Sequence, residues 1–190
     1  MIGNDIVDLR FAKLNSRWQE QRFLDKIFTV EEQHYIFSQP NQFQNIWRMW
    51  SMKESVYKLN FRTEKVIRFN PKDFQCTIES ENIGAVKFYA QFISTHTKTN
   101  SDFIYSTAFT SLNWQSETFF LSEILKEQRV ITYQKIIEFY ADLKGHDQKY
   151  LTIKKNPFGI PEIYYNNILE KEQLSLSHHG KYGACAFTVN

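Results

Sequence analysis

The sequence has few of the features that mark secreted, membrane-bound or nucleic-acid-binding proteins. No apolar run in the 190 residues is long enough to cross a bilayer. The first ten residues, MIGNDIVDLR, lack the basic patch and long apolar segment of a signal peptide, so we do not expect export. Cys76 and Cys185 lack metal-ligand spacing, which favours reduced thiols in the cytoplasm. The 23 basic and 21 acidic side chains nearly cancel, which predicts no general attraction to nucleic acid.

The residues that are present predict a mixed α+β (α/β) protein with an aromatic-rich core. Aromatic side chains make up 16% of the chain, and its length suits a single compact unit, 1–190, or two small halves that share a core. Hydrophobic periodicity predicts helices at 12–27, 29–37, 41–60 and 123–144. Alternation and β-rich composition predict strands at 1–9, 66–69, 74–79, 85–94, 103–111, 118–121, 150–153, 174–177 and 182–189, with 118–121 pairing back onto the strand before it.

Two short stretches are similar to each other. The letters YSTAFT at 105–110 and GACAFT at 183–188 each end a segment in which a helix precedes strands. If the repeat is genuine, the chain consists of two related halves, 1–113 and 114–190, without a flexible linker between them. So few letters match by chance often enough that this is weak evidence by itself.

The helix predicted at 41–60 carries an acid in an apolar row. Asn41 follows Pro40 and is a good N-cap. The apolar row of this helix contains Phe43, Ile46, Trp47, Trp50 and Tyr57. Glu54 continues that row four residues after Trp50, and Lys58 follows at i+4 on the same side. The pair is either a surface ion pair worth about 0.3–0.5 kcal/mol, or a carboxylate held in a partly dry wall that needs a cation.

Two other stretches place reactive groups on predicted strands. In the first strand Asp5 lies between Gly3 and Val7 on an otherwise apolar face, whereas Asp8 points the other way and is expected to cap or to face solvent. At the other end of the chain, 177–181 reads Ser-His-His-Gly-Lys between two strands. Two carboxylates suit Mg²⁺, and lysine, serine and histidine donors suit phosphate, so the set indicates chemistry at a phosphate ester or anhydride. Singly, each of these residues is more often structural.

Together these stretches resemble the 4′-phosphopantetheinyl transferases, of the holo-acyl-carrier-protein synthase type. The most specific motif is WSMKESVYK at 50–58, in which a lysine follows the Glu-Ser pair. The other matching segments are GNDIVD at 3–8, FTVEEQHY at 28–35, NPFGIP at 156–161 and LSLSHHGKYGACAF at 174–187. The resemblance implies two similar halves, each a helix on an antiparallel sheet, packed as a pseudo-dimer.

The resemblance also implies an activity and roles for particular residues. Such enzymes transfer the phosphopantetheine arm of coenzyme A to a serine of an apo acyl or peptidyl carrier protein and release 3′,5′-ADP. Asp5 and Glu54 would hold Mg²⁺, and Lys58 would contact the same phosphates. Glu54, directly or through a metal-bound water, would be the base. The remaining coenzyme A contacts would come from Ser177, His178, Lys154, Lys155 and Gly159.

Three departures from the family pattern bear on these expectations. Val7 stands where the larger branch often has a second acid, and Ile160 replaces the lysine of the Gly-Lys-Pro loop, which leaves Lys154 or Lys155 to substitute for it. The motif order is that of the short branch, although 190 residues exceed the short form. Two halves in permuted order would reconcile these facts and favour a monomer. A non-catalytic relative that binds coenzyme A or a carrier, and a Mg²⁺-dependent phosphatase, are the alternative functions.

Overall fold

The structure, a computed structural model, describes residues 1–64, 68–122 and 124–189, with only the backbone at residue 125. The helices are α1 (Leu9–Asn15), α2 (Gln21–Ile27), α3 (Val30–Ser38), α4 (Gln42–Phe61) and α5 (Leu125–Lys144). The strands are β1 (Ile2–Asp8), β2 (Phe74–Ile78), β3 (Ile83–Phe88), β4 (Gln91–Thr99), β5 (Phe103–Phe109), β6 (Trp114–Phe120), β7 (Leu151–Lys155), β8 (Pro161–Tyr165), β9 (Ile168–Leu169), β10 (Leu174–His179) and β11 (Tyr182–Thr188). All the strand ladders described are antiparallel, which confirms the α+β class.

Strand β1 lies at the edge of the larger sheet and directly under helix α4. The sheet has the order β1-β5-β4-β3-β2, and α4 packs across it through Met52, Val56 and Leu59. A Cβ atom on Gly3 would lie 2.1 Å from the carbonyl oxygen of Ser55. Because only glycine permits this approach, β1 and α4 come into close backbone contact beside Asp5.

The second part of the chain forms two smaller sheets. Strands β10, β11 and β6 form one of them, in that order, and helix α5 packs on it through Ile136 and Tyr140. Strands β7, β8 and β9 form the other. Ile6, Tyr105 and Ala184 form a buried cluster that joins β1 and β5 to β11. In the described part of the chain, no helix has the length and hydropathy of a membrane span.

The similar letters at 105–110 and 183–188 do not occupy equivalent positions. Ala108 packs against α4 in the first sheet, whereas Ala186 pairs with Ser175 on the face of β11 turned toward β1. Phe187 packs on α5, whereas Phe109 stacks on Trp114. Since side chains alternate between faces along a strand, the letter match is out of register by an odd number of residues.

Several local predictions are confirmed. The Thr29 side chain accepts a hydrogen bond from the Glu32 amide and the Glu32 side chain accepts one from the Thr29 amide, which is the capping box expected for α3. The Asn41 side chain caps α4 through the Gln44 amide. Gly145 ends α5 in the left-handed conformation, with φ of 68°.

Three predicted elements differ from the structure. The helix expected at 12–27 is two helices, because Ser16 is extended and its hydroxyl bonds back to the Ala12 carbonyl. The strand expected at 85–94 is the hairpin β3–β4, which turns at Tyr89 with φ of 50°. The segment 118–121 was expected to pair with the preceding strand, but β6 pairs with β11. Of the strand expected at 66–69 and the helix expected at 123–144, residues 66, 67 and 123 lie outside the described residues.

Candidate active site

Helix α4 directs its acid and lysine toward β1 from the border of its buried face. The most buried residues of α4 include Met49, Met52, Val56 and Leu59, and the aromatic row flanks them. Trp50 and Tyr57 are only partly buried, and both pack against Phe69. Glu54 lies between these two aromatic residues and is itself partly buried. Its carboxylate is therefore mostly removed from water without being sealed off.

Lys58 pairs with Asp5 on the neighbouring strand. Its Nζ lies 3.0 Å from Asp5 Oδ1 and 2.9 Å from the Asn4 carbonyl oxygen. The side chains of Lys58 and Asp5 are 30% and 13% exposed. Among the described residues, Glu54 and Lys58 form no ion pair within 4.0 Å, so the surface pair considered from the sequence is wrong. The lysine instead neutralises the acid of β1.

Asp5 and Glu54 are close enough to repel each other electrostatically. The pKa of Glu54 is raised to about 7, first by burial and then by the charge of Asp5, against the opposing effect of Lys58. Burial also raises the pKa of Asp5, although Lys58 and then His179 oppose this. The structure thus brings together two acids that are distant in the chain, and a bound cation would relieve the unfavourable charge on both.

These two carboxylates are the donors available to a metal ion at this place. Within the described residues, no group of three or more histidine, cysteine, aspartate and glutamate side chains is arranged to hold a metal. A pair of carboxylates fits Mg²⁺, which keeps several waters and shares oxygen atoms of a phosphate substrate. It does not fit Zn²⁺, which requires three or four protein ligands.

A cavity opens beside Lys58 and is bordered by the NPFGIP loop. It has a volume of about 210 Å³, and Lys58, Lys155, Gly159 and Ile160 are among the residues that line it. The predicted coenzyme A residues Lys155 and Gly159 therefore meet Lys58 at one cavity. Lys154 does not join them, because its Nζ lies 4.9 Å from the centre of the Tyr164 ring on the other side of β7.

The residues of the Ser-His-His stretch alternate between two faces of β10. The Ser177 hydroxyl accepts a hydrogen bond from Asn4 Nδ2 at 3.1 Å and is buried against β1. His178 is exposed and lines two further cavities of about 390 and 780 Å³. His179 turns back to β1, where its Nδ1 accepts a hydrogen bond from the Asp8 amide at 3.0 Å. His178 is the most exposed of the three, and His179 also borders the cavity of about 780 Å³.

Asp8 caps helix α1, which confirms one of its two expected roles. The other role, a side chain that faces solvent, is wrong, because Asp8 is buried. Its Oδ1 accepts a hydrogen bond from the Phe11 amide at 2.9 Å, which caps α1, and its Oδ2 accepts one from the Lys181 amide at 3.0 Å. Asp8 therefore fastens α1 to the turn between β10 and β11, beside the cavity that His178 lines.

Sequence patterns did not single out two residues around this site, nor a third elsewhere on helix α4. Arg129 and Tyr133 of α5 line the cavity of about 390 Å³ together with Lys155 and His178. No motif marks them, because they lie on a helix outside every matched segment. Lys53, which forms a buried pair with Glu32, had a visible signal: it lies in a row with Met49 and Val56, the same kind of apolar row that drew attention to Glu54.

Known proteins resemble part of this chain. A sequence profile described as the 4′-phosphopantetheinyl transferase superfamily matches residues 1–115. A holo-[acyl-carrier-protein] synthase of Chlamydia caviae is 33% identical over 82 residues, which is 43% of this chain and 66% of that protein. The chain thus matches just under two thirds of the length of this relative.

Two solved structures also match. The holo-[acyl-carrier-protein] synthase of Neisseria meningitidis is 19% identical, with 56% of this chain and 94% of that chain covered and a TM-score of 0.46. The Helicobacter pylori enzyme in complex with coenzyme A is 18% identical, with 58% and 100% covered and a TM-score of 0.44.

The profile match covers more than half of the chain and includes both carboxylates and the lysine of the site. The serine-histidine strand and the NPFGIP loop lie beyond the matched residues, so their roles stay predictions. On the matched part, the chain belongs to the 4′-phosphopantetheinyl transferase superfamily.

Proposed function

We propose that this protein transfers the 4′-phosphopantetheine arm of coenzyme A to a serine of an apo carrier protein and releases 3′,5′-ADP. The observation that carries the proposal is the meeting of Asp5, Glu54 and Lys58 beside a cavity with a second lysine. In the reaction the serine oxygen forms a bond to phosphorus, and the phosphoanhydride bond to the ADP group breaks. Such a displacement requires positioning and neutralisation of charge more than covalent help.

Mg²⁺ is the metal ion that this donor set would bind, with Asp5 and Glu54 as its protein ligands. When bound, it would supply positive charge to the pyrophosphate oxygens. Lys58, which is paired with Asp5, would add a second positive charge near the phosphates. Lys155 and Gly159 would border the coenzyme A phosphates, and His178 would contact the nucleotide end from its exposed position. The Glu54 carboxylate, partly buried beside Lys58 and Asp5, is our candidate to accept the proton of the carrier serine.

We also propose that the site is complete within one chain. Each of the two segments, 1–113 and 114–190, has a strand followed by helical structure and then further strands, and its first strand pairs with its last. Strand β1, with Asp5, lies against β10, and the cavity of about 210 Å³ is lined by Lys58 of the first half and Lys155 of the second. A monomer organised as a pseudo-dimer follows, and a trimer-sized mass in solution would contradict it.

The carrier class is the open part of this proposal. Carriers of fatty-acid, polyketide and peptide synthesis all present a serine at an acidic helix, and no stretch of this chain selects among them. The two free cysteines, of which Cys185 is buried, are consistent with work in a reducing cytoplasm.

The test is incubation of the protein with coenzyme A, Mg²⁺ and a panel of apo carriers, read by mass spectrometry of each carrier. We expect at least one carrier to gain the mass of the phosphopantetheine arm. Glu54→Gln should abolish the gain while the fold is kept, and the same change at the exposed Glu81 should leave it intact. Full activity of Glu54→Gln would refute the site.

The alternatives give different results in the same assay. Binding of coenzyme A without any modified carrier would indicate the non-catalytic relative, for which Ile160 at the cavity wall is the supporting observation. Phosphate release without a carrier would indicate a phosphatase. Either result would overturn the transferase proposal.

A further inference from the structure

The free edge of β1 is held by side chains of β10. Strand β1 pairs with β5 along its other edge, and β10 pairs with β11. Between β1 and β10, the Ser175 hydroxyl accepts a hydrogen bond from the Asn4 amide at 3.0 Å, and the Ser177 hydroxyl accepts one from Asn4 Nδ2 at 3.1 Å. His179 Nδ1 accepts the third from the Asp8 amide at 3.0 Å. Side chains of every second β10 residue thus accept hydrogen bonds along an edge of β1 that is not paired with the backbone of β10.

We propose that Ser175, Ser177 and His179, which we call the β10 clamp, are positioning residues for Asp5. The proposal rests on the proposed function. The clamp fixes β1 at Asn4 and at Asp8, which flank Asp5 in the chain. On the α4 side, the Ser51 hydroxyl donates to the Asp5 carbonyl at 3.1 Å. The backbone that carries the carboxylate is therefore held from both sides, and the carboxylate is directed to Lys58 and Glu54.

The residue types of the clamp match the task. Two of the three groups to be satisfied are backbone amides of a buried strand edge, and a buried amide without an acceptor is costly. Ser175 and Ser177 are both buried at the interface and offer hydroxyl acceptors. The His179 ring is kept in place by an edge contact with the Phe11 ring at 5.1 Å between centroids. An unprotonated Nδ1 is required for the bond that is seen.

The alternation of β10 separates two tasks along one strand. Ser177 and His179 both accept hydrogen bonds from β1, and His179 also borders the cavity of about 780 Å³, whereas His178 between them is exposed and lines that cavity and the one of about 390 Å³. This changes the role of Ser177: its hydroxyl supports Asp5 through Asn4 and does not serve as a phosphate contact. Supporting groups around a metal-binding carboxylate commonly affect activity by about 10- to 100-fold.

The test compares His179→Ala, His179→Asn and Ser177→Ala. Asparagine places its Oδ1 close to the position of the histidine Nδ1, so it keeps the acceptor and removes the rest of the ring. His178→Asn is the matched control on the opposite face, and Ser94→Ala is the control for a serine on an exposed part of β4. The readouts are amide hydrogen exchange at Asn4 and Asp8, and the separate values of kcat and KM for coenzyme A.

We expect His179→Ala to speed exchange at the Asp8 amide and to lower kcat about 10-fold with KM for coenzyme A unchanged within twofold. His179→Asn should restore both values, and Ser177→Ala should lower kcat without raising this KM. His178→Asn should leave exchange at Asp8 as it is and raise KM for coenzyme A. Ser94→Ala should change neither quantity.

Three results would overturn the proposal. One is unchanged exchange at Asp8 in His179→Ala, another is a His179→Asn variant no better than alanine, and the third is a Ser177→Ala variant that raises KM for coenzyme A with kcat unchanged. The exchange measurement needs no turnover. It therefore tests the clamp even if the wild-type protein modifies no carrier, in which case the proposed function fails by itself.

Discussion

Helix α4 carries two lysines that each meet an acid from another element, in opposite environments. The side chains of Lys53 and Glu32 are 0% and 3% exposed, and those of Lys58 and Asp5 are 30% and 13% exposed. The two lysines are only five residues apart in the chain. Residue type and helix are the same, so the difference between the pairs lies in their surroundings.

The pair of Lys53 and Glu32 is closed, by which we mean that other groups of the protein satisfy both charges. Lys53 Nζ donates to both carboxylate oxygens of Glu32 at 2.8 Å and to the carbonyl oxygens of Pro71 and Phe74. Glu32 also accepts hydrogen bonds from the amides of Cys76 and Thr29. Every charge is compensated within α3, α4 and β2, so this pair joins structural elements and has no capacity left for a ligand.

The pair of Lys58 and Asp5 is open, by which we mean that it is partly exposed and its surroundings do not balance its charge. It borders a cavity, and a second carboxylate, Glu54, adds negative charge that Lys58 only partly offsets. Burial of both acids without full compensation leaves a site that gains from a bound cation or phosphate. The comparison teaches that burial alone does not indicate function. An unbalanced charge at a cavity does.

The largest expected effect comes from a substitution that breaks the closed pair. Lys53→Met removes the cation and leaves the Glu32 carboxylate buried beside apolar side chains, which we expect to cost about 3–5 kcal/mol in the free energy of unfolding. Lys58→Met is the matched control on the same helix and should cost about 1 kcal/mol or less, since its pair is partly exposed. Urea denaturation of both variants measures the difference, and equal losses would remove the distinction between the pairs.

The next largest effect is a loss of activity when a substitution breaks the open pair. Lys58→Met should lower kcat/KM for carrier modification by about 10- to 100-fold, because a charge near the transferring phosphate is lost. Lys53→Met, assayed at a temperature at which it remains folded, should keep activity within a few-fold of the wild type. A Lys53 variant that is folded and inactive would place that lysine in the reaction and contradict our comparison.

The central parts of this picture could be predicted from local patterns. Asn41 as a cap, the row through Trp50 and Glu54, and the alternation around Asp5 are all properties of adjacent residues, and the structure confirms the elements that carry them. The meeting of Asp5 with Glu54 was inferred by resemblance, since periodicity cannot say which strand lies under which helix.

Other parts depend on contacts that no local pattern contains. The hairpin at Tyr89 uses a positive φ without the glycine or asparagine that signals such a turn. The i+4 spacing of Glu54 and Lys58 is visible in the sequence, whereas the pairing of Lys58 with Asp5 requires two distant segments to be adjacent. The clamp of Ser175, Ser177 and His179 could not be predicted for the same reason, because its partners lie on β1 at the opposite end of the chain.

The smallest expected effect is the pH dependence of stability that the buried Glu54 beside the open pair produces. Without metal, the folded protein holds a proton on Glu54 up to a pKa of about 7, whereas the unfolded chain releases it near the ordinary glutamate value of about 4.3. Stability should therefore fall as the pH rises through this window and stay lower above pH 7.

Glu54→Gln abolishes this contribution, so relative to the wild type it should gain about 1–2 kcal/mol of stability between pH 4.5 and pH 8, a value reduced for the partial exposure of the side chain. Thermal melts of both proteins across this range measure the gain, with Glu81→Gln as the surface control. Mg²⁺ should raise the wild-type melting temperature above pH 7 and have little effect on Glu54→Gln, because a ligand stabilises only the state that binds it. If the two proteins showed parallel pH profiles, Glu54 would be an ordinary exposed acid. The open pair would then lack the buried, incompletely compensated acid that distinguishes it from the closed one.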